Sequence, residues 1–546
     1  MVRSTFFGLE IGKTGLTVSQ IGLDITGHNI ANVDTDGYTR QRIIATAYDP
    51  FATVGRALSV SQANVGGGVN IKVHDQIRSA YLDRRYRTEN TANAYWQKRT
   101  ESMRYLESYF DNTNEETSIN FSLARFFEAM KVLAEDTVEG APRTLLQTAG
   151  KDLVQQLNSI YNGLIDLQES QNQVVDVTVI RINQIADEIA QLNKSIYGYE
   201  ITGYYANDLR DKRNLLVDEL SALADVEYKE YADGNHTKFE VSIGGKKLVN
   251  HVDTWTLGVR EVNNGIAELG ENKKVLQPYW KYDNNGAAIP DADSELVLKG
   301  GELKAYLDMR DGDAVNKNPK GIPYYVEMLN NFARALVQEV NKLHRQGFND
   351  NVDGSWDGID FFWAKDEKGN YFELDASNNQ IDLCDPDKLY LVNAGNICLS
   401  KEVEADVYNI ACSSVKIEKK NGTPDQLQRG NNENMNALYA LFIKKDIALG
   451  DLTTGGISIG SLDGYATSIR FDVGNTLNTA IKTADNYVTL TIAAENQRLA
   501  VAGVSLDEEM TNLVKYQHAY NGAARVITAM DELLDKLING TGRVGL

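Results

Sequence analysis

Cysteine is scarce in this chain: Cys384, Cys398 and Cys412 are the three in 546 residues. They cannot all pair with one another and show no C-x-x-C spacing, which excludes a disulfide framework and a zinc module, and they read as buried thiols. Histidine is scarce too. His28, His74, His236, His251, His344 and His518 form no i, i+4 pair and no convergent set with cysteine or carboxylate, so no metal and no cofactor is expected. Eight prolines leave long stretches free of helix breakers. No run reaches the roughly 18 apolar residues of a membrane span, and the opening lacks the charged, apolar and cleavage regions of a secretory signal. Basic residues are outnumbered 55 to 76, a net charge of −21, which argues against the polyanions nucleic acid and anionic membrane as partners. The chain is expected to stay in the cytoplasm or to leave by a route without a cleaved signal.

What is present is periodicity at both ends. Leu9, Leu16, Leu23 and Ile30 recur every seven residues, and Leu513, Gln517, Tyr520, Ala524 and Ile527 alternate by four and three. Such spacing puts side chains on one helix stripe. Pairing the two stripes would bring the termini to one pole. Ile11, Val18 and Ile25 form a second stripe, offset by two residues from the leucines and so on roughly the opposite face at about 100° per residue. A helix apolar on both sides needs cover on both sides. Gly8, Gly12, Gly15, Gly22 and Gly27 weaken it further, at about 1 kcal/mol each, while letting helices approach closely. The terminal helices are therefore expected to be unfolded in the lone chain and to fold when neighbouring copies supply the missing contacts.

Between the ends, turn formers follow Asn29, and residues 41–73 alternate as short extended segments or a hairpin, with glycines 66–68 at a bend. Helix is expected from Ile77 to Tyr109 and from Ile119 to Leu133, with a break near Gly140 and Pro142. The longest helix runs through Leu153, Leu157, Ile160, Leu164 and Leu167, then, after a one-residue shift, through Val175, Val179, Ile182, Ala186, Ile189 and Ile196. A further helix over 207–220 returns beside it. Alternation with glycine pairs makes 226–298 β-rich, helix returns over 324–343, and residues 347–390, with 11 acidic side chains against three lysines, read as an exposed, turn-rich surface. Helical spacing resumes at Met435–Phe442 and from Gly464 to the end. The fold class is multidomain and mainly α, with terminal coiled-coil helices, a long helical bundle and an inserted β-rich outer domain.

Three motifs suggest chemistry and are set aside. Gly456-Ile-Ser458-Ile-Gly460 matches a nucleophile elbow, but no strand-to-helix setting is evident and His518, the one later histidine, lies in the last helix. Asn349, Asn351, Asp353, Gly354 and Asp360 approximate a calcium loop with Asn at the first ligand and a short Asp at the last. Gly244-Gly-Lys-Lys lacks the spacing and the Ser or Thr of a phosphate loop, and is a hairpin turn. No catalytic constellation survives, and the chain is not expected to be an enzyme.

The opening through Asn29-Ile-Ala-Asn32 and Gly37-Tyr38-Thr-Arg40-Gln41 resembles the shared N-terminal motif of bacterial flagellar rod, hook and hook-associated proteins. The ending, Gly503-Val-Ser-Leu506-Asp-Glu-Glu-Met510 through Tyr516-Gln517, Ala519-Tyr520 and Ala524-Arg-Val526-Ile527 to Leu537-Ile538-Asn, is similar to that family's C-terminal helix. Asp36 departs from the proline the family commonly carries before Gly37. Within the family the helical block from Ile77 to Leu220 looks most like the hook-associated member at the junction of hook and filament.

The resemblance implies a mechanical adaptor that assembles helically at the hook tip. Its implied partners are copies of itself, hook protein, a second junction protein and a cytoplasmic chaperone at the C-terminal helix, and its implied route is the flagellar type III apparatus to the extracellular flagellum. The alternatives are another axial subunit, such as a hook or filament-type protein, and, remotely, an axial scaffold with a serine hydrolase site. The expected plan is residues 1–35 and 503–546 as inner-tube helices, 36–225, 299–346 and 430–502 as a discontinuous helical domain, 226–298 as the β-rich domain, and 347–429 as the acidic region packed on the helical domain. The expected assembly interface is Leu9, Ile11, Leu16, Val18, Leu23, Ile25, Ile30 and Asn32 of the first helix, Gly37 and Tyr38 at the bend, and Leu506, Met510, Leu513, Tyr520, Ile527, Leu534 and Ile538 of the last.

Overall fold

The computed structural model describes residues 6–47, 67–110, 118–201, 205–233, 236–264, 266, 273–290, 294–315, 318–350, 358–366, 368–372, 382–383, 385–417, 419–420, 423–424, 426–449 and 459–540. Helix α1 (Phe7–Ala31) is followed by the antiparallel hairpin β1 (Gln41–Ala47) and β2 (Val69–Gln76). Then come α2 (Ala80–Phe110), α3 (Ile119–Glu135), α4 (Gly140–Glu200) and α5 (Asn207–Leu223). Gly140 and Pro142 fall in the first turn of α4, where proline's missing N–H costs nothing, so the break precedes them, at 136–139.

Helix α4 has 61 residues, about 90 Å at 1.5 Å per residue, and organises the body. Its first half, Leu146 to Leu167, is buried with α3, α7 (Ile322–His344) and α11 (Leu462–Ala502) in one apolar core. Its second half, Val175 to Ala190, is buried in another, with β strands and α6 (Glu302–Asp311). The one-residue shift after Leu167 marks the change of partner. Buried amides occupy the change-over: Gln168 Nε2 donates to Asn264 Oδ1 and the Arg310 carbonyl, both at 3.0 Å, and Gln171 Oε1 accepts from Ser102 at 3.2 Å.

The β portion packs on that second half. Strands β3 (Val226–Asp233), β4 (His236–Ile243), β5 (Lys246–Asn250) and β6 (Asp253–Thr254) form an antiparallel sheet in sequence order, and β7 (Thr256–Asn263) pairs with β8 (Lys274–Tyr282). Alternate residues Phe239, Val241 and Ile243 point into the core, which is the period of two that half-buried strands require. Gly244 and Gly245, at φ 56° and 79°, make the β4–β5 turn.

The described part of residues 347–390 is more buried than expected. Phe361, Phe362, Ala364 and Leu383 lie in the main core together with Val392, Ile397 and Leu399, and β9 (Phe362–Ala364) pairs with β10 (Ile397–Leu399). Asp350 and Asp360, the stretch's buried acids among the described residues, are partnered: Asp350 meets Arg429 and Asp360 meets Arg345, each at 2.6 Å, as buried carboxylates must be. Short helices α8 (Lys401–Ala405), α9 (Gln426–Arg429) and α10 (Glu433–Ala440) complete this layer.

Helix α11 then runs beside α2 to the segment that follows α1, where the Arg40 N–H meets the Ala502 carbonyl, and α12 (Leu506–Asn539) follows after a break at Gly503.

Candidate functional site: the paired terminal helices and their clasp

Helices α1 and α12 lie antiparallel along their length. A Cβ added to Gly8 would meet Met530, one on Gly12 would meet Ile527, one on Gly15 Ala523, and one on Gly22 the Tyr516 ring. These glycines share one face of α1, so the seam is a small-residue groove filled by side chains of α12. The leucine stripe flanks it. Leu9, Leu16, Leu23 and Ile30 are half-buried on α1, as are Leu513, Tyr520, Ile527 and Leu534 on α12.

The second face of α1 is covered from within the chain, which corrects the expectation that neighbouring copies must cover it. Hairpin β1–β2 runs back along α1: Asn29 Nδ2 donates to the Gln41 carbonyl at 2.9 Å, and near the other end the Val69 N–H approaches Thr14 Oγ1 at 3.4 Å. Gly68, at φ 103°, sits against Ile11 and Thr14. Ile25 is buried, and Ile11 and Val18 are half-buried. Helix α12 carries no such cover among the described residues. Leu506, Met510, Val514, Val526, Leu533, Leu537 and Ile538 are exposed, and Glu509 is its one buried side chain among the described residues.

Glu509, 2% exposed, is the centre of a polar clasp at the end of α1. One carboxylate oxygen accepts from Asn29 Nδ2 at 3.0 Å, and the other from Arg40 Nε at 2.8 Å. Arg40 also pairs with Glu508, and its N–H donates to the Ala502 carbonyl at 2.9 Å. Asn29 Oδ1 accepts from the Gln41 N–H at 3.0 Å and the Tyr38 hydroxyl at 2.8 Å. The turn that brings Tyr38 back needs Gly37 at φ 74°, where a side chain would be strained, with Leu215 against it. Asn32 closes α1 by donating from Nδ2 to the His28 carbonyl and accepting from Thr35.

The same segment is fastened to the body. The Thr39 N–H donates to Asp211 at 3.0 Å and Gln41 Nε2 to Asp208 at 2.8 Å, both on α5. Arg78 grips Asp83 at 2.7 Å and donates to Thr39 Oγ1. One layer behind, Asp218 lies between Arg87 at 2.6 Å and Arg498 at 2.5 Å, and Arg498 stacks over Tyr86. Burial pushes the Asp211 carboxyl up to about 6, against the Thr39 hydrogen bonds and Arg78. Burial also pushes the Tyr38 hydroxyl up, with Asp208, Asp211 and Glu509 adding to it. Arg40 is raised because Glu508 and Glu509 outweigh the cost of burying it.

The expected interface residues thus divide. The half-buried leucines, Tyr520 and Ile527 meet across the seam, Tyr38 and Gly37 build the clasp, and Leu506, Met510 and Ile538 are exposed. Asn29, Thr39, Arg40, Gln41, Asp211 and Glu509 were not among the candidates. The family resemblance covered the run Asp507-Glu508-Glu509, but nothing set Glu509 apart within it, since acids in a first helical turn already suit the dipole. The set-aside motifs gain nothing. Asp360 is engaged by Arg345, while Asn351, Asp353, Gly354, Gly456 and Ser458 lie outside the described residues. His518 is exposed on α12. Cys398 and Cys412 are unpaired thiols pushed up by burial, and Cys384 also lies outside the described residues. Among the described residues no group of His, Cys, Asp and Glu could hold a metal ion, and no helix is long and apolar enough to cross a membrane.

Comparison with known proteins falls on these same parts. Residues 103–362 match the family model described as the flagellar hook-associated protein FlgK helical domain. Residues 9–39 match that of the flagella basal body rod protein, and 495–540 that of the flagellar basal body rod FlgEFG protein C-terminal region. Flagellar hook-associated protein 1 of Bacillus subtilis (strain 168) is 28% identical over 99% of both chains. The protein of that name from Escherichia coli (strain K12) is 24% identical over 96% of this chain and 98% of its own. The structure of the flagellar hook junction protein FlgK from Burkholderia pseudomallei shares the fold, with a TM-score of 0.55 at 15% identity, covering 77% of this chain and 100% of that one. Matched at both terminal helices, through its helical body and along nearly its whole length, the chain belongs to the flagellar hook-associated protein 1 family.

Proposed function

We propose that this chain is a structural subunit of the bacterial flagellum that joins hook to filament, assembling helically at the hook tip with the paired terminal helices as its inner layer. One observation carries the choice of interface: among the described residues of α12, Val514, Val526 and Leu533 beside the α1 seam and Leu506, Met510, Leu537 and Ile538 at or beyond its two ends are apolar and exposed. Exposed apolar patches mark protein contact. A helical layer needs heterologous contacts, one surface of each copy meeting a different surface of the next, and a chain with tail and body clasped at a joint offers several. Hook protein on one axial side and a second junction protein on the other are the partners this role requires. Before assembly a cytoplasmic chaperone covers the α12 stripe, and the chain leaves through the flagellar type III apparatus. The role is mechanical and makes or breaks no bond.

The test is the variant Leu506→Asp, Met510→Asp in the full chain, expressed in place of the wild type. Both side chains are exposed, so the α1–α12 pair should persist, seen as unchanged helicity of the purified protein. Incorporation at hook tips should be lost, because an unpaired carboxylate buried between copies costs several kcal/mol. Wild-type incorporation would sink the reading. Counting copies per wild-type flagellum separates a junction subunit, which stops at a short layer, from a subunit that polymerises without limit.

A further inference from the structure

The joint between tail and body holds a cavity of about 390 Å³ that the clasp does not fill. Its floor is charged and already balanced: Arg498 sits 2.5 Å from Asp218 and 2.8 Å from Glu495, and Arg87 takes the other oxygen of Asp218. Its lip is unbalanced. Asp34 and Asp36, on the turn after α1, line the opening, are exposed, and join no ion pair among the described residues. They stand at the C-terminal end of α1, where the last carbonyls already make the potential negative. Between lip and floor Val33, Leu215, Leu499 and Val504 form an apolar collar, with Leu215 45% and Leu499 51% exposed. An apolar wall under an acidic lip suits a long side chain with an apolar stem and a cationic tip, which is lysine or arginine.

We infer that this cavity is a socket for α12 of a second copy of the chain, entered by one of its basic residues. Two observations select that occupant. The collar adjoins exposed apolar residues of α12, since Leu506 and Met510 come two and six residues after Val504. Helix α12 also presents the complement: Lys515 lies beside Val514 and Arg525 beside Val526, both valines are exposed, and neither cation joins an ion pair among the described residues. Copies that each carry −21 repel at a distance, so a local match of opposite charge is what can fix their register. The inference rests on the stripe reading above and names the partner surface and its polarity.

The experiment uses the full chain expressed in its flagellated host. Asp34→Lys, Asp36→Lys reverses the lip at two exposed turn positions, so circular dichroism of the purified protein should match wild type. Incorporation at hook tips should fall about tenfold, the effect of losing about 1.4 kcal/mol. Adding Lys515→Glu and Arg525→Glu to the same chain restores the attraction in every copy and should return incorporation to within about twofold, or about 0.4 kcal/mol. Wild-type incorporation of the lip variant overturns the socket, and so does failure of the four-residue swap to restore it. Capture of hook protein by a photo-crosslinker at Leu499 in assembled flagella overturns the assignment to a second copy. If Leu506→Asp, Met510→Asp also assembles normally, the stripe reading has failed. If that variant is blocked while the lip variant assembles, the socket alone has failed.

Discussion

Four glycines of α1 make different demands, and substituting them one at a time separates helix propensity from packing. Alanine in place of glycine gains about 1 kcal/mol in a helix interior. At Gly27 a Cβ would meet nothing within 4 Å, so Gly27→Ala should keep that whole gain of about 1 kcal/mol. At Gly22 the Cβ would lie 2.6 to 2.8 Å from three carbons of the Tyr516 ring. Overpacking of that kind costs about 1–3 kcal/mol, so Gly22→Ala should lose up to about 2 kcal/mol net. At Gly8 the conflict is with the flexible thioether of Met530, 2.6 Å away, which can swing aside, so Gly8→Ala should be near neutral. At Gly12 the backbone nitrogen of Ile527 is 3.5 Å from the added Cβ; Gly12→Leu cannot fit without parting the helices, and should unzip the pair. The assay is amide exchange on the purified full chain, comparing protection of α1 and α12 with that of α4. The expected order is Gly27→Ala above wild type, Gly8→Ala level with it, Gly22→Ala below, and Gly12→Leu unprotected in both terminal helices with α4 unchanged. Equal gains for Gly22→Ala and Gly27→Ala would refute the close seam.

Glu509→Ala leaves Asn29 and Arg40 without their shared acceptor; Arg40 keeps some water, so the cost should be about 2 kcal/mol, read as faster exchange in the first turns of α12 with α4 unchanged, and no change there would show that the clasp does not hold the helix. Acid should act with opposite signs on tail and body. Asp211, with its folded pKa raised to about 6 by burial, binds more protons folded than unfolded, so its contribution is present at pH 4 and is lost as pH rises toward 6, whereas His344, lowered to about 4 by burial, binds fewer folded and destabilises as pH falls from about 6.5 to 4. Amide exchange at pH 5 relative to pH 7 should therefore show the Thr39 segment better protected and α7 less so, and Asp211→Asn should abolish the first difference while leaving the second.

Much of this was legible because period alone decides it. The change of partner along α4 was visible as a one-residue slip between Leu167 and Val175, and the β4–β5 turn as Gly244-Gly245. The acidic stretch was misread because charge was taken as exposure, and sequence cannot show that Arg345 and Arg429 wait to neutralise Asp360 and Asp350. The clasp was half legible. Residues Gly37 to Gln41 carried a family resemblance, yet the acid that completes them, Glu509, lies 469 positions from Arg40, and no local pattern encodes a contact of that separation. The seam was half legible as well: the glycines were read as letting helices approach closely, but that Gly8, Gly12, Gly15 and Gly22 are the surface of closest approach, with Leu9, Leu16 and Leu23 beside them, shows only with α12 in place.

That row changes what assembly has to supply. With five glycines, α1 carries about 5 kcal/mol of propensity cost relative to alanine, too much for a 25-residue helix to bear alone, since even good helix formers of 12–15 residues are marginal in water. Helix α12 offsets that cost by filling the glycine groove, and the β1–β2 hairpin covers the other side. A terminal helix built this way folds with its partner or not at all, so α1 and α12 form one cooperative unit although their sequences lie at opposite ends of the chain. On the proposed function, neighbouring copies would then meet the exposed apolar side chains of α12 rather than fold α1. A substitution in the glycine row should consequently damage assembly only by unfolding α12 with it, whereas one in the Leu506–Ile538 stripe damages assembly with both helices intact; the two classes separate by whether the monomer keeps its α12 protection.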